Sequence, residues 1–177
     1  MSARGIRRIP IIQGEHAVVG EADAVISTVL GSCIAVCLHD AEARIGGMNH
    51  FLLGEPQQDQ QLSDLDLQRY GVHAMELLIN AIMKAGAQRS RLRANLYGGA
   101  TIIAGLGGIG AANAAFAKRF LATEGITVGQ ADTGGTFARK LEFRPYDGKV
   151  RCKTVADRPL PPPLPRAPLG GGEIELF

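Results

Sequence analysis

Apolar positions fall into short β-type runs in the first third of the chain and take up helical spacing only later. Ile6 to Ile12 and Ala17 to Gly20 read as short extended pieces. The β-branched run Ala24-Val25-Ile26-Ser27-Thr28-Val29-Leu30 has the length of a buried strand rather than a helix. Ile34 to Leu38 and Ile45 to Leu53 follow as two more strands, joined by the polar stretch His39-Asp40-Ala41-Glu42-Ala43-Arg44, a connection of hairpin type. Helical spacing begins at Tyr70. Val72, Met75, Leu78, Ile79, Ile82 and Met83 share one face of a helix reaching Ala85, and Gly86 stands where a C-cap belongs. Gly110 to Thr123 repeats the pattern with Ala114, Phe116, Ala117, Phe120 and Leu121, followed by Gly125. Arg93 to Tyr97 predicts a strand running into Gly98-Gly99-Ala100, and Ile126 to Ala131 another, ending at the turn Asp132-Thr133-Gly134-Gly135. Lys140 to Arg144 and Lys149 to Val155 form a closing hairpin around Pro145-Tyr146-Asp147-Gly148. Two hairpins without a steady βαβ alternation place the chain in the α+β class, with mixed, largely antiparallel sheets and two main helices.

A length of 177 residues suits one domain, expected over residues 1–157. From Arg158 the character changes: six prolines fall before Gly170, so residues 158–177 are expected to form an extended, disordered tail. Gly54 to Asp66, rich in Gln and Asp, is expected to be a polar loop beside the site formed by the preceding strands. Net charge adds little, being only +2, and the basic clusters Arg4, Arg7, Arg8 and Lys84, Arg89, Arg91, Arg93 have no interleaved aromatics. They read as solvated surface, and nucleic acid is not an expected partner. Met1 to Pro10 offers no apolar core for a signal sequence, and the apolar stretch Gly98 to Ala117 is interrupted by six glycines. The expectation is a cytoplasmic protein that is not membrane-inserted. Three cysteines, an odd number, argue for thiols rather than a disulfide framework.

The chemistry concentrates at Leu30-Gly31-Ser32-Cys33. If the hairpin pairs about the middle of its connection, opposed residue numbers add to 83, and Cys33 faces His50. Opposed Cβ atoms lie about 4.5 to 5.5 Å apart, within reach of a thiol–imidazole interaction. A thiolate needs a proton acceptor, which His50 supplies, and a third group to orient the ring; Ser27 and Thr28 offer hydroxyls one strand away. Gly31 permits a sharp turn in which the backbone N–H groups around Ser32 and Cys33 converge as an oxyanion hole. The bland alternative is that Cys33 is a small packing residue. Cys37 has metal-like spacing from Cys33 but no second ligand pair, so it reads as core, as does Cys152. His39 and His73 read as structural or surface residues, His16 has no partner that the sequence identifies, and no metal is expected. A rival enzyme class rests on Gly105-Leu106-Gly107-Gly108-Ile109-Gly110, a formal dinucleotide fingerprint with Asp132 placed to meet a ribose. It would make the chain a nicotinamide-dependent oxidoreductase. Against it, only one such unit fits and about a hundred residues precede it, so no cofactor is expected.

The series Leu30 to Cys37, Gly47-Met48-Asn49-His50-Phe51-Leu52-Leu53, Arg69 to Met75, Leu96-Tyr97-Gly98-Gly99-Ala100 and Thr133-Gly134-Gly135 resembles the CheD family of chemoreceptor glutamine deamidases, in order and up to about Val155. The resemblance implies an α/β sandwich and a hydrolase that converts glutamine side chains of methyl-accepting chemotaxis receptors to glutamate, releasing ammonia through a thioester. It implies Cys33 and His50 as catalytic residues. The family's threonine, six positions before the cysteine, falls on Ser27, with a threonine next to it at Thr28. The family's usual Asp-hydrophobic-Gly-Gly reads Asp132-Thr133-Gly134-Gly135 here. The implied partners are the cytoplasmic helices of the receptors and a CheC-type phosphatase that docks on members of the family. A non-catalytic receptor- or CheC-binding module is the alternative within the same resemblance.

Overall fold

A computed structural model describes residues 5–53, 64–102 and 108–155. The expected loop from Gly54, apart from its last residues, and the expected tail from 158 lie outside the described residues.

The strands form two sheets. One has the order β1 (Arg7–Pro10), β3 (Ala24–Leu30), β8 (Ala138–Arg144), β9 (Lys149–Val155). The other has the order β2 (His16–Val19), β5 (Ile45–Asn49), β4 (Ile34–Asp40), β6 (Arg93–Gly98), β7 (Thr127–Thr133). Most neighbours are antiparallel; β1 with β3 and β6 with β7 are parallel. Helices α1 (Asp64–Lys84) and α2 (Ile109–Thr123) cover one face of the five-stranded sheet. The class is the expected α+β, arranged in three layers: sheet, sheet, helices.

Two apolar clusters hold the layers, and β4 feeds both because its side chains alternate between faces. Ile34, Val36 and Leu38 meet Met75, Leu78 and Ile82 of α1 and Ala117 and Leu121 of α2. Ala35 and Cys37 point the other way, to Ile26, Leu30, Leu141 and Phe143 of the second sheet. Burial on both faces explains why β4 is almost uniformly apolar.

The boundaries differ from the sequence expectation at two places that matter. Helix α1 begins at Asp64, six residues before Tyr70; apolar periodicity locates a helix but does not fix its first residue. The β4–β5 hairpin pairs Cys37 with Met48 and Asp40 with Ile45, so opposed numbers add to 85, not 83. Buried Asp40 sets that register. Its carboxylate accepts from the N–H groups of Glu42 and Ala43 at 3.1 Å each, of Gln88 at 2.9 Å, and from Arg91 Nε at 3.0 Å. The turn therefore starts after Asp40 and closes through Arg44 in the left-handed region (φ 56°). Burial alone would raise the Asp40 pKa, but those hydrogen bonds outweigh it and hold the carboxyl well below the usual range.

Candidate active site

The turn Gly31-Ser32-Cys33 links β3 of one sheet to β4 of the other, at the seam between the layers. Its carbonyls are all tied back: Gly31 O accepts from Ala100 N at 3.0 Å, Ser32 O from Asn113 Nδ2 at 2.8 Å and Cys33 O from Gly99 N at 2.8 Å. The peptides are trans, so each N–H points opposite to the carbonyl of its own peptide unit. Fixing the carbonyls of Gly31 and Ser32 toward β6 and α2 therefore turns the N–H groups of Ser32 and Cys33 the other way, as an oxyanion hole requires. The left-handed conformations that permit this close approach lie across from the turn, at Gly98 (φ 111°) and Gly99 (φ 66°). A Cβ on Gly98 would sit 2.1 Å from Cys33 O.

His50 lies one residue beyond β5 and Cys33 one residue before β4, beside the isolated bridge between Ile34 and Phe51. With the register shifted by two, the pair is diagonal rather than directly opposed. An even shift keeps both side chains on the same face, toward the second sheet. There Thr28 Oγ1 meets His50 Nδ1 at 2.7 Å, both residues buried. The same hydroxyl donates to Ile11 O at 2.7 Å. A hydroxyl has one proton, and a carbonyl can only accept, so the bond to His50 must be donated by Nδ1–H. That fixes the tautomer and leaves Nε2 as a bare lone pair. Burial pushes the imidazole pKa down to about 4, so the ring is a neutral base at ordinary pH.

Of the two hydroxyls, Thr28 and not Ser27 touches the histidine. Strand alternation decides it: Thr28 is opposite Leu141 and faces inward, whereas Ser27 is opposite Glu142 and Pro10 on the outer face. The family spacing that points to Ser27 carries no information about strand parity.

The segment Ile11 to Glu15, between β1 and β2, carries no signal in the apolar pattern beyond Ile12, yet it is fastened to the site at both ends. Beyond the Thr28 bond to Ile11 O, Gly14 N donates to His50 O at 2.8 Å and His50 N to Glu15 O at 3.0 Å. Exposed Gln13 lies between, and Cys33 Sγ donates to its Oε1 at 3.8 Å. Asn113 was also missed. It is buried on α2, and besides holding Ser32 O it accepts from Leu53 N at 3.0 Å, clamping the chain on either side of the Cys33–His50 pair. Its only signal in the sequence is a polar residue within the apolar positions of α2.

The remaining thiols and histidines are placed as expected. Cys37 is buried and its pKa is driven up, chiefly by that burial. Cys152 donates to Asp132 Oδ2 at 3.6 Å. His39 contacts Tyr146 O at 3.3 Å beside Gly148, His16 pairs with Asn49 in the sheet, and His73 is exposed on α1.

The family described as CheD chemotactic sensory transduction matches residues 52–154. A protein of Zymomonas mobilis is 50% identical over 180 residues, covering 100% of this chain and 96% of its own length. This chain belongs to the CheD family. The Zymomonas protein bears the name probable chemoreceptor glutamine deamidase CheD, as do relatives from Caulobacter vibrioides (46% identical, 96% of this chain and 93% of that one) and Agrobacterium fabrum (46% identical, 100% of both). A solved structure of a Neisseria meningitidis DUF152 protein gives a TM-score of 0.45 at 14% identity, over 69% of this chain and 54% of that one.

For a CheD chain, the two described glycines of the formal fingerprint differ: Gly108, at positive φ (112°) ahead of α2, has open space around it, whereas Gly110 is packed. A Cβ on Gly110 would lie 2.3 Å from Gly99 O, so this glycine lets α2 press on the strand end that supports Cys33. Asp132, required on a ribose in the rival reading, is ion-paired with Arg139 Nη2 at 3.0 Å. Gly105 to Gly107 lie outside the described residues. Among the described residues, no helix is long and apolar enough to cross a membrane.

Proposed function

We propose that this CheD protein is a cysteine-dependent amidohydrolase that deamidates glutamine side chains of chemotaxis receptors to glutamate. The observation that carries the reading is the relay Ile11 O, Thr28 Oγ1, His50 Nδ1, which leaves a neutral, proton-accepting Nε2 on the face shared with Cys33. Family membership supplies the substrate, because the relatives are named as chemoreceptor glutamine deamidases.

The chemistry follows from that arrangement. His50 Nε2 takes the thiol proton of Cys33, and the thiolate attacks the glutamine carboxamide carbon. The new C–S bond displaces the C=O π pair onto oxygen, which the N–H groups of Ser32 and Cys33 receive. The imidazolium returns its proton to the departing nitrogen, the C–N bond breaks and ammonia leaves. Water, deprotonated by His50, then attacks the thioester carbon; the C–S bond breaks and Cys33 recovers the proton. Receptor glutamines are displayed on helices, so the substrate presents one side chain to a turn that is only half-buried. The cytoplasmic receptor helices are the macromolecular partner in this reading, and a CheC-type phosphatase is its regulator.

The test is incubation of the protein with a receptor cytoplasmic fragment, followed by peptide mass analysis. A gain of about one dalton at a specific glutamine, with release of ammonia, is the expected result. Cys33→Ala should lower that rate by at least about a thousandfold. Undiminished activity in Cys33→Ala would rule out the thiol as nucleophile. If the wild-type protein binds the fragment without any mass change, the chain is a non-catalytic receptor-binding module.

A further inference from the structure

We infer that Gln13 is a further catalytic residue, whose side-chain amide supplies an N–H to the oxyanion formed at Cys33. The inference rests on the deamidase reading of the Cys33–His50 site. Gln13 is exposed, and its Oε1 stands 3.8 Å from the Cys33 sulfur and accepts from it. The backbone on either side of Gln13 is held by the site itself: Ile11 O by the Thr28 hydroxyl, Gly14 N by His50 O and Glu15 O by His50 N. Whatever positions His50 therefore positions Gln13, although fifteen or more residues separate them from Thr28 and Cys33 along the chain.

In the resting site the thiol is the donor and the carboxamide oxygen accepts. Once the thiol proton has moved to His50, sulfur can no longer donate, and the interaction that held the oxygen toward it is gone. The terminal torsion of a glutamine is broad and roughly two-fold, so a half-turn places the NH2 group where the oxygen was. An oxyanion on a carbon bonded to Sγ lies within about 3 Å of that sulfur, so a donor next to Sγ reaches it from the solvent side. The N–H groups of Ser32 and Cys33 reach it from the protein side. Three donors on one developing charge, two of them backbone and one a mobile side chain at the mouth, is the resulting arrangement.

The test compares wild type, Gln13→Ala, Gln13→Glu and Cys33→Ala on a receptor fragment, with the rate of Cys33 alkylation by iodoacetamide as a second measurement. Removal of one oxyanion donor predicts a loss in kcat on the order of 100-fold in Gln13→Ala, with KM little changed. Gln13→Glu keeps the shape but has no N–H to give at neutral pH, so it should be at least as impaired; a packing role would be preserved by that isostere. Alkylation displaces iodide from a saturated carbon and develops no oxyanion, so its rate in Gln13→Ala should match wild type. Activity within threefold of wild type in both Gln13 variants, or faster turnover in Gln13→Ala, would overturn the inference while an inactive Cys33→Ala leaves the deamidase reading standing. An active Cys33→Ala would instead remove the deamidase reading beneath it.

Discussion

In the proposed mechanism Thr28 is the residue on which the chemistry turns, because its single proton is committed to Ile11 O and so dictates which nitrogen of His50 is bare. Thr28→Val keeps the shape and removes the acceptor for Nδ1–H, freeing the ring to change tautomer. We expect deamidation to fall on the order of a hundredfold, and alkylation of Cys33 to slow with it, while Ser27→Ala remains near wild type. Steady-state rates of the two variants side by side distinguish the inward hydroxyl from the outward one. Asn113 works by a different route. Asn113→Ala leaves Ser32 O and Leu53 N without their bonds inside the protein, which should cost about 1–3 kcal/mol in urea unfolding as well as activity.

The end of β6 behaves as a mould for the Gly31-Ser32-Cys33 turn. Gly98 takes a conformation that side chains rarely adopt, its carbonyl accepts from Arg139 Nη1 at 3.3 Å and from Gly134 N at 2.9 Å, and Gly99 N holds Cys33 O. Gly98→Ala would combine an unfavourable φ with a Cβ inside the contact distance of Cys33 O. The expected outcome is loss of most deamidase activity with a fall in thermal midpoint of several degrees, since the turn or the strand end must move. A variant with full activity and unchanged midpoint would show that the mould is not needed. At the opposite end of the same sheet, Asp40 does for the β4–β5 register what Gly98 does for the turn.

For the whole molecule, acid is the condition that tests the buried groups together. His50 has its pKa lowered by burial from 6.5 to about 4, so between those values the unfolded chain binds a proton that the native protein does not. Stability from this group is complete above about pH 6.5 and is lost as pH falls toward 4, by at most about 1.4 kcal/mol per pH unit. Asp40, held ionised by Arg91 and backbone N–H groups, contributes stability that is present above the ordinary carboxyl range and erodes below it. Urea midpoints should therefore decline in two stages on acidification, and His50→Gln should abolish the upper stage. A midpoint independent of pH between 7 and about 4.5 in wild type would contradict the buried neutral histidine.

Much of the architecture was present in the one-dimensional pattern. The β-branched runs, the two amphipathic helices, the closing hairpin and the α+β class follow from periods of 2 and 3.6 residues, and these are properties of neighbours in the chain. That Cys33 and His50 share a face was legible for the same reason, since they flank one local hairpin whose face assignment survives a register error of two. Tertiary structure decided what depends on packing between sheets and helices. It chose Thr28 over Ser27 through the parity of β3 against a sheet formed elsewhere. It brought Gln13 and Asn113 to the cysteine from segments twenty and eighty residues away in sequence. It also set Gly110 of the formal fingerprint against the Gly99 carbonyl. Those choices are made by long-range hydrogen bonds and steric contact, which leave no periodic trace in the order of residues.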